Sequence, residues 1–155
     1  MSNPTKKIIK GGSFLIDEIT TDYVFTPEDY TDEQKMIAKT TEDFVTNEVL
    51  PQVEKLEEHQ FDITVRLLRE AGDLGLLGLD IPEEYGGIAV DKISSALVSE
   101  KMSVSGGFSI SHGVQIGIGS LPIVLFGNEE QKAKYLPSIA TGEKIAAYAL
   151  TEPSS

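Results

Sequence analysis

Helical periodicity dominates this sequence from residue 31 to residue 142 and gives way to a strand-like pattern only near the end. Apolar residues recur there at spacings of three and four, the pattern of helices with one buried face. Residues 145–150 form instead a short apolar run typical of a strand. The sequence therefore predicts an all-α fold, an antiparallel bundle of about six helices, followed by the first strand of a β-domain. Because a lone strand cannot pair its backbone groups, we expect that domain to be truncated here.

Polar residues mark the predicted helix starts. The predicted N-caps are Thr31, Asp62 and Asn128, and the third helix is predicted to begin near Asp91. Thr31 and Asn128 are each followed three residues later by glutamine, which completes the spacing of a capping box. Apolar stripes predict the buried faces of the second and third helices. These residues are Leu67, Leu68, Ala71 and Leu74 in the second helix, and Ile93, Ala96, Leu97 and Val104 in the third.

Prolines and glycines mark the predicted helix ends. Pro51 is expected to end the first helix, and the acidic stretch 54–59 after it is expected to be solvated. Gly75 is expected to stop the second helix. Pro137 is expected to kink or divide the last helix before Gly142 closes it.

Residues 1–30 lack helical periodicity and predict an irregular N-terminal arm, anchored in part by the apolar residues 14–16. The first ten residues lack the apolar core of a secretory signal, so we expect a cytoplasmic protein. We find no apolar run of the roughly 18 residues that a membrane span needs. The formal net charge of −12 repels nucleic-acid phosphates, so no nucleic-acid partner is expected.

The residues alone reveal no catalytic machinery. The glycines at 113, 117 and 119 lie in an apolar helical stretch and not between a strand and a helix, which excludes a dinucleotide-binding loop. His59 and His112 are far apart and lack carboxylates at ligand spacing, so no metal site is predicted. We interpret His59 as a solvated surface residue and His112 as a buried, hydrogen-bonded one.

Three segments together resemble one family. They are Ile-Pro-Glu-Glu-Tyr-Gly-Gly at 81–87, Phe-Gly-Asn-Glu-Glu-Gln-Lys-Ala-Lys-Tyr-Leu-Pro at 126–137, and Ala-Tyr-Ala-Leu-Thr-Glu-Pro-Ser-Ser at 147–155. In this order and spacing they look like the acyl-CoA dehydrogenase flavoproteins, over roughly residues 30–155. The third segment resembles the family's flavin-binding signature, which continues with Gly-Ser-Asp and is cut here after Ser155. The amino-acid sequences at 123–127 and 150–155 are most similar to the long-chain and very-long-chain branch of the family.

The resemblance implies a domain plan and a reaction. Residues 1–30 would be an arm, 31–143 the family's N-terminal helical domain, and 144–155 the truncated start of its middle β-domain. The full enzyme would use FAD to convert a fatty acyl-CoA into a trans-2-enoyl-CoA in β-oxidation. Electron-transferring flavoprotein would accept the electrons, and the enzyme would be a homo-oligomer. The catalytic glutamate belongs to a C-terminal domain outside this chain, so we assign no catalytic residue and expect the fragment to be inactive.

The resemblance also implies two sets of site residues. The implied cofactor-binding residues are Tyr148, Leu150, Thr151, Glu152 and Ser155. The implied substrate-binding residues are Ile110, Gly113, Val114, Gly117 and Ile118, at the deep end of the acyl channel. This second set is uncharged and includes two glycines, which favours long acyl chains. Alternatively, the two glycines only allow close helix packing.

Other functions of the same fold stay open at this point. An acyl-CoA oxidase or a flavin monooxygenase would use the same helices with oxygen. A non-catalytic assembly or scaffold relative would keep the fold and lack the catalytic glutamate. The helical domain does not distinguish among these alternatives.

Overall fold

The computed structural model describes residues 15–16 and 25–154, which fall into two compact units, Met1–Asp32 and Glu33–Ser155. Most of the predicted arm therefore lies outside the described residues. Its described part contains a 3₁₀ turn, Pro27–Asp29, in which the Thr26 N–H donates to the Asp29 carboxylate at 3.1 Å. Phe14 lies outside the described residues, and its neighbours Leu15 and Ile16 are exposed.

The predicted all-α class is confirmed, since the described residues contain helices and no strand. The helices are α1 Asp32–Phe44, α2 Val53–Glu57, α3 Phe61–Asp73, α4 Lys92–Met102, α5 Gly107–Ile116, α6 Leu121–Phe126 and α7 Glu129–Ala140. Five of them have ten or more residues. The predicted strand at 145–150 is wrong for this chain, because that segment has no neighbouring strand with which to form a ladder.

The connection between α1 and α2 differs from the prediction. A π-helical turn, Val45–Val49, and a 3₁₀ turn, Leu50–Gln52, continue the helical path through Pro51. Proline is tolerated there because it occupies an early position of a new turn, where its missing N–H leaves no bond unmade. Part of the acidic stretch predicted to be solvated is helical, as α2.

In α3 and α4 the helix starts are predicted better than the buried faces. The third predicted helix begins near Asp91 as expected, with Asp91 as the N-cap of α4, and α3 begins one residue before Asp62. Leu67, Leu68 and Ala71 of α3 are buried, whereas Leu74 is exposed. The buried residues of α4 are Ser94, Leu97, Val98 and Met102, so only Leu97 of the predicted face is buried.

The apolar stretch 107–126 is two helices, because the chain turns between residues 117 and 120. By length and composition it could cross a membrane, which corrects the expectation that no such run exists. Phe108, His112, Gln115 and Ile116 are buried, so one face of α5 packs inside the helical unit, while Ile110 is exposed.

The start of α7 is formed as predicted, whereas the helix is not divided at Pro137. Asn128 and Gln131 make the predicted capping box, with the Gln131 N–H donating to Asn128 Oδ1 at 2.9 Å. Pro137 lies inside α7 without dividing it. Gly142 follows the helix with a φ of 72°, a conformation that glycine adopts without strain.

Two hydrophobic clusters hold the helical unit together. The larger cluster packs α3, α4 and α5 around residues such as Leu67, Val98 and Phe108. The smaller cluster contains Ile81, Leu136, Ile139 and Ala140, and joins the Pro-Glu-Glu-Tyr-Gly-Gly segment to α7.

Candidate functional site

An open cleft of about 300 Å³ lies between α3, α5 and residues 145–146, and we call it the cleft from here on. Its lining residues are Phe61, Thr64, Val65, Leu68, Ile110, Ser111, Val114, Ile145 and Ala146. None of these side chains is charged. Their polar groups are the hydroxyls of Thr64 and Ser111 and the backbone amides. Such a lining suits an uncharged hydrocarbon group, because each buried methylene contributes about 0.8 kcal/mol. A larger depression, about 470 Å³, has its described lining on α3 alone.

The predicted substrate-binding residues lie on the outward side of α5 and in the turn after it. Ile110 and Val114 line the cleft. Ile110 is 70% exposed and Ile118 is 52% exposed, so this face is not buried inside the helical unit as a packed core face would be. The described structure brings two of the five residues to the cleft, and Gly113, Gly117 and Ile118 do not line it.

The two glycines of this set have different surroundings. A β-carbon at Gly113 would meet nothing within 4 Å, so Gly113 does not serve close helix packing. A β-carbon at Gly117 would lie 2.7 Å from the Gly113 carbonyl oxygen. Gly117 therefore permits the tight turn that ends α5. Within the described residues, close packing is present at Gly117 and absent at Gly113.

The predicted cofactor-binding residues follow the cleft along the chain. Tyr148, Leu150, Thr151 and Glu152 are all exposed, in a segment without helix or strand. Ser155 lies outside the described residues. The exposed side chains and backbone of 148–152 leave hydrogen-bonding groups accessible to a bound group such as a flavin.

The α3 wall of the cleft was missed by the sequence prediction. Phe61, Thr64, Val65 and Leu68 follow the i, i+3, i+4, i+7 spacing of one helix face. This spacing was visible in the sequence. It identifies a face, and only tertiary packing shows that the same face meets α5.

None of the described acidic, basic, histidine or tyrosine side chains lines the cleft. The imidazole of His112 is buried and contacts the Leu76 carbonyl oxygen at 3.0 Å, as predicted for a satisfied core histidine. Burial lowers the pKa of His112, with the Leu76 hydrogen bond opposing the shift, so the ring stays neutral. His59 is exposed, as predicted.

The acidic residues near the family-like turn are also away from the cleft. Glu83 and Glu84 are exposed in a 3₁₀ turn, Glu83–Tyr85. The Tyr85 hydroxyl donates to Glu129, which raises the pKa of Tyr85 to about 12 and lowers that of Glu129. Within the described part of the chain, no three acidic, histidine or cysteine side chains cluster as metal ligands would.

The fold and the cleft together define the class of protein. It is an all-α domain with an uncharged cleft, and an exposed C-terminal segment lies beside that cleft. Residues 31–143 match the family described as acyl-CoA dehydrogenase, N-terminal domain. The chain belongs to the acyl-CoA dehydrogenase family.

Three comparisons illustrate the match. The chain is 63% identical to a probable acyl-CoA dehydrogenase of Bacillus subtilis (strain 168), over 100% of this chain and 26% of that protein. It is 35% identical to the mitochondrial isovaleryl-CoA dehydrogenase of Bos taurus, over 80% of this chain and 30% of that protein. It resembles the crystal structure of an acyl-CoA dehydrogenase complexed with FAD from Bacillus anthracis, with a TM-score of 0.89 and 73% identity, over 95% of this chain and 25% of that one. The chain thus spans about a quarter of the length of two of these relatives.

Proposed function

We propose that this chain is the helical substrate-binding part of an FAD-dependent acyl-CoA dehydrogenase. The full protein would oxidise the Cα–Cβ bond of an acyl-CoA thioester to a trans-2-enoyl-CoA. The observation that carries this proposal is the uncharged cleft between α3 and α5 in a chain of this family. A similar solved structure is described as complexed with FAD.

The reaction removes one proton and one hydride from the acyl group. A base removes the α-proton, and FAD, when bound, accepts the β-hydrogen as hydride. No carboxylate is among the described residues that line the cleft, and the proposed base is a glutamate of the full protein outside this lining. This chain would hold the acyl group away from water through its apolar walls, and so keep the reacting carbons in place.

Thr151 is the proposed polar contact to the flavin. Its hydroxyl and the neighbouring backbone N–H groups are donors suited to the negative charge that reduction places near flavin N1 and O2. Tyr148, Leu150, Glu152 and Ser155 complete the proposed contact set. The described members of this set are exposed, so flavin contact would not disrupt the helical core.

We further propose that the acyl group is long. The predicted substrate-binding face is uncharged, and Gly113 leaves its surroundings open. Since the relatives include an isovaleryl-CoA dehydrogenase, family membership alone does not set the chain length. The proposal also includes an electron-transferring flavoprotein as electron acceptor, a homo-oligomeric enzyme and a cytoplasmic location.

The test is flavin reduction by the full-length protein. We expect stoichiometric FAD, bleaching of the flavin by acyl-CoA without oxygen, and a trans-2-enoyl-CoA product. Full-length protein that binds no FAD, or bound flavin that no acyl-CoA reduces, would overturn the proposal. Rapid reoxidation of the reduced flavin by oxygen would instead identify an oxidase.

The contribution of Thr151 is tested by Thr151→Val in the same protein. We expect slower flavin reduction, because one donor to the reduced flavin is lost. Thr46→Val is the matched control, since Thr46 is exposed on the π-helical turn after α1. Equal rates and equal FAD content in wild type and Thr151→Val would remove Thr151 from the set.

A further inference from the structure

Gln115 of α5 is a fully buried polar side chain that binds the chain beyond α7. Its amide nitrogen donates to the carbonyl oxygens of Ile139 and Lys144, each at 3.0 Å. Its amide oxygen accepts from the backbone N–H of Ala146 at 2.6 Å. One side chain therefore makes three hydrogen bonds to main-chain atoms, one to the last turn of α7 and two to residues 144–146.

Two glycines allow the segment 141–146 to approach its neighbours closely. A β-carbon at Gly119 would lie 2.7 Å from the Ala146 β-carbon, so the C-terminal segment approaches the turn after α5 closely. A β-carbon at Gly72 of α3 would lie 2.3 Å from the Thr141 carbonyl oxygen. Residues 141–146 are thus held against both helices that wall the cleft.

The held segment connects the two parts of the proposed site. Ile145 and Ala146 line the cleft together with Ile110 and Val114 of α5. Tyr148, the first proposed flavin contact, follows Ala146 by two residues. The position of Ala146 therefore affects both the shape of the cleft and the point from which the flavin contacts extend.

We propose that Gln115 is a positioning residue that aligns the proposed flavin contacts with the acyl cleft. This inference rests on the proposed FAD-dependent function. Gln115 touches neither reacting group, and acts through the backbone of Lys144 and Ala146. Any polar partners would satisfy a buried glutamine, whereas two of the three partners here, Lys144 and Ala146, belong to the chain between α7 and the flavin contacts. The third, Ile139, lies in the last turn of α7.

The experiment compares Gln115→Met with wild type in the full-length enzyme. Methionine keeps the length of the side chain and removes all three hydrogen bonds. Ser120→Ala is the matched control, because Ser120 is buried nearby and its hydroxyl donates only to the Ile116 carbonyl oxygen at 2.8 Å. The measurements are the FAD dissociation constant, the visible circular dichroism of bound flavin, and amide hydrogen exchange at Ala146.

We expect Gln115→Met to weaken FAD binding by about tenfold, to alter the flavin dichroism and to speed exchange at Ala146. Ser120→Ala should leave all three measurements at their wild-type values. Gln115→Asn is the second variant, for the case in which Gln115→Met does not fold. It keeps a neutral amide, but its shorter side chain cannot reach all three partners, so the same changes should appear in smaller measure.

The outcomes separate this inference from the proposed function. Wild type that binds no FAD contradicts the proposed function, and with it the positioning role. Wild type that binds FAD, with a folded Gln115 variant that matches its affinity and dichroism, overturns the positioning role alone. Unchanged exchange at Ala146 in that variant would also overturn it, because the hydrogen bonds would then not hold the segment.

Discussion

Glycines of this chain differ in what a side chain would meet. At Gly87 a β-carbon would lie 1.9 Å from the Ile81 carbonyl oxygen, inside the backbone of its own turn. At Gly113, in the middle of α5, it would meet nothing within 4 Å. Gly87 is thus required by close backbone approach, whereas no such approach requires Gly113, and glycine there weakens its helix through backbone entropy.

This contrast predicts opposite effects of the same substitution. Gly87→Ala should destabilise the chain by on the order of 3 kcal/mol, since backbone must move to admit the β-carbon. Gly113→Ala should stabilise it by roughly 0.5–1 kcal/mol, because alanine favours a helix interior over glycine. Urea denaturation of both variants beside wild type measures the two values. A Gly87→Ala variant as stable as wild type would contradict the described turn.

At the residue scale, the sequence predicted that a polar side chain would be buried and hydrogen-bonded, but not which distant residues would be its hydrogen-bond partners. His112 was correctly interpreted as a satisfied core histidine, because an imidazole on an apolar helix must find a partner when buried. Gln115 was missed. Its role depends on backbone atoms 24 to 31 residues further along the chain, which no local pattern reveals.

At the scale of elements, one hydrogen bond joins the Glu83–Tyr85 turn to the first turn of α7. The Tyr85 hydroxyl donates to Glu129, and Glu129 is also 3.7 Å from the Lys132 ammonium. Ile81 packs with Leu136 and Ile139 on the same side. The family-like Pro-Glu-Glu-Tyr-Gly-Gly segment is therefore an attachment point for α7.

The Tyr85 bond predicts a late phenol titration. Hydrogen bonding to Glu129 raises the pKa of Tyr85 from 10.0 to about 12. Since the folded pKa is the higher one, the stabilisation is complete below pH 10 and is lost as pH rises towards 12. Absorbance of the phenolate should show a step near pH 12 that disappears in Tyr85→Phe. Tyr135→Phe, the control, should keep that step, and its loss in the control would refute the assignment.

The caps of α4 and α7 predict different responses to acid. Burial raises the pKa of Asp91, but hydrogen bonds from Ser94, Gln34 and the Ile93 N–H together lower it below 3.8. Because the folded pKa is the lower one, this stabilisation is present above about pH 4 and is lost as pH falls through the folded value. The neutral Asn128 cap has no such dependence.

The measurement is denaturation by urea at pH 7 and near pH 3. Asp91→Asn should be less stable than wild type at pH 7, and the difference should shrink near pH 3. Asn128→Ala should lose about 1 kcal/mol at both pH values. An Asp91→Asn deficit that stays constant with pH would show that the carboxylate charge does not contribute.

Helix starts were predictable because a cap is a local event. Asp91 and Asn128 bond to N–H groups two or three residues away, within reach of sequence reasoning. Pro51 was misinterpreted because the chain continues helically through two irregular turns that packing stabilises. The strand at 145–150 failed for a related reason, since a strand depends on a neighbour that the described residues do not supply.

At the scale of the whole molecule, the helical unit exposes large apolar side chains on α5, on α6 and in the turn between them. They include Ile110, Ile118, Leu125 and Phe126. The chain spans about a quarter of the length of two of its relatives. Within it, the exposed face of α5 is the place where substitutions can test the proposed acyl specificity.

The final prediction is a preference for long acyl chains in the full-length enzyme. Each methylene that moves from water into the uncharged cleft contributes about 0.8 kcal/mol, a factor of about four in binding. Activity measured with acyl-CoAs of about four to about twenty carbons should therefore peak at the long end. Gly113→Leu should reduce activity on the longest substrates more than on short ones, because Gly113 shares the α5 face of Ile110 and Val114 and its surroundings are open.

Gly117 is the poorer position for this test, since a side chain there meets the backbone of α5. Ser103→Leu, on the exposed turn after α4, is the control for adding a leucine elsewhere. Best turnover at about four to eight carbons in wild type would end the long-chain proposal, and equal loss at every length in Gly113→Leu would show that this face does not sense chain length.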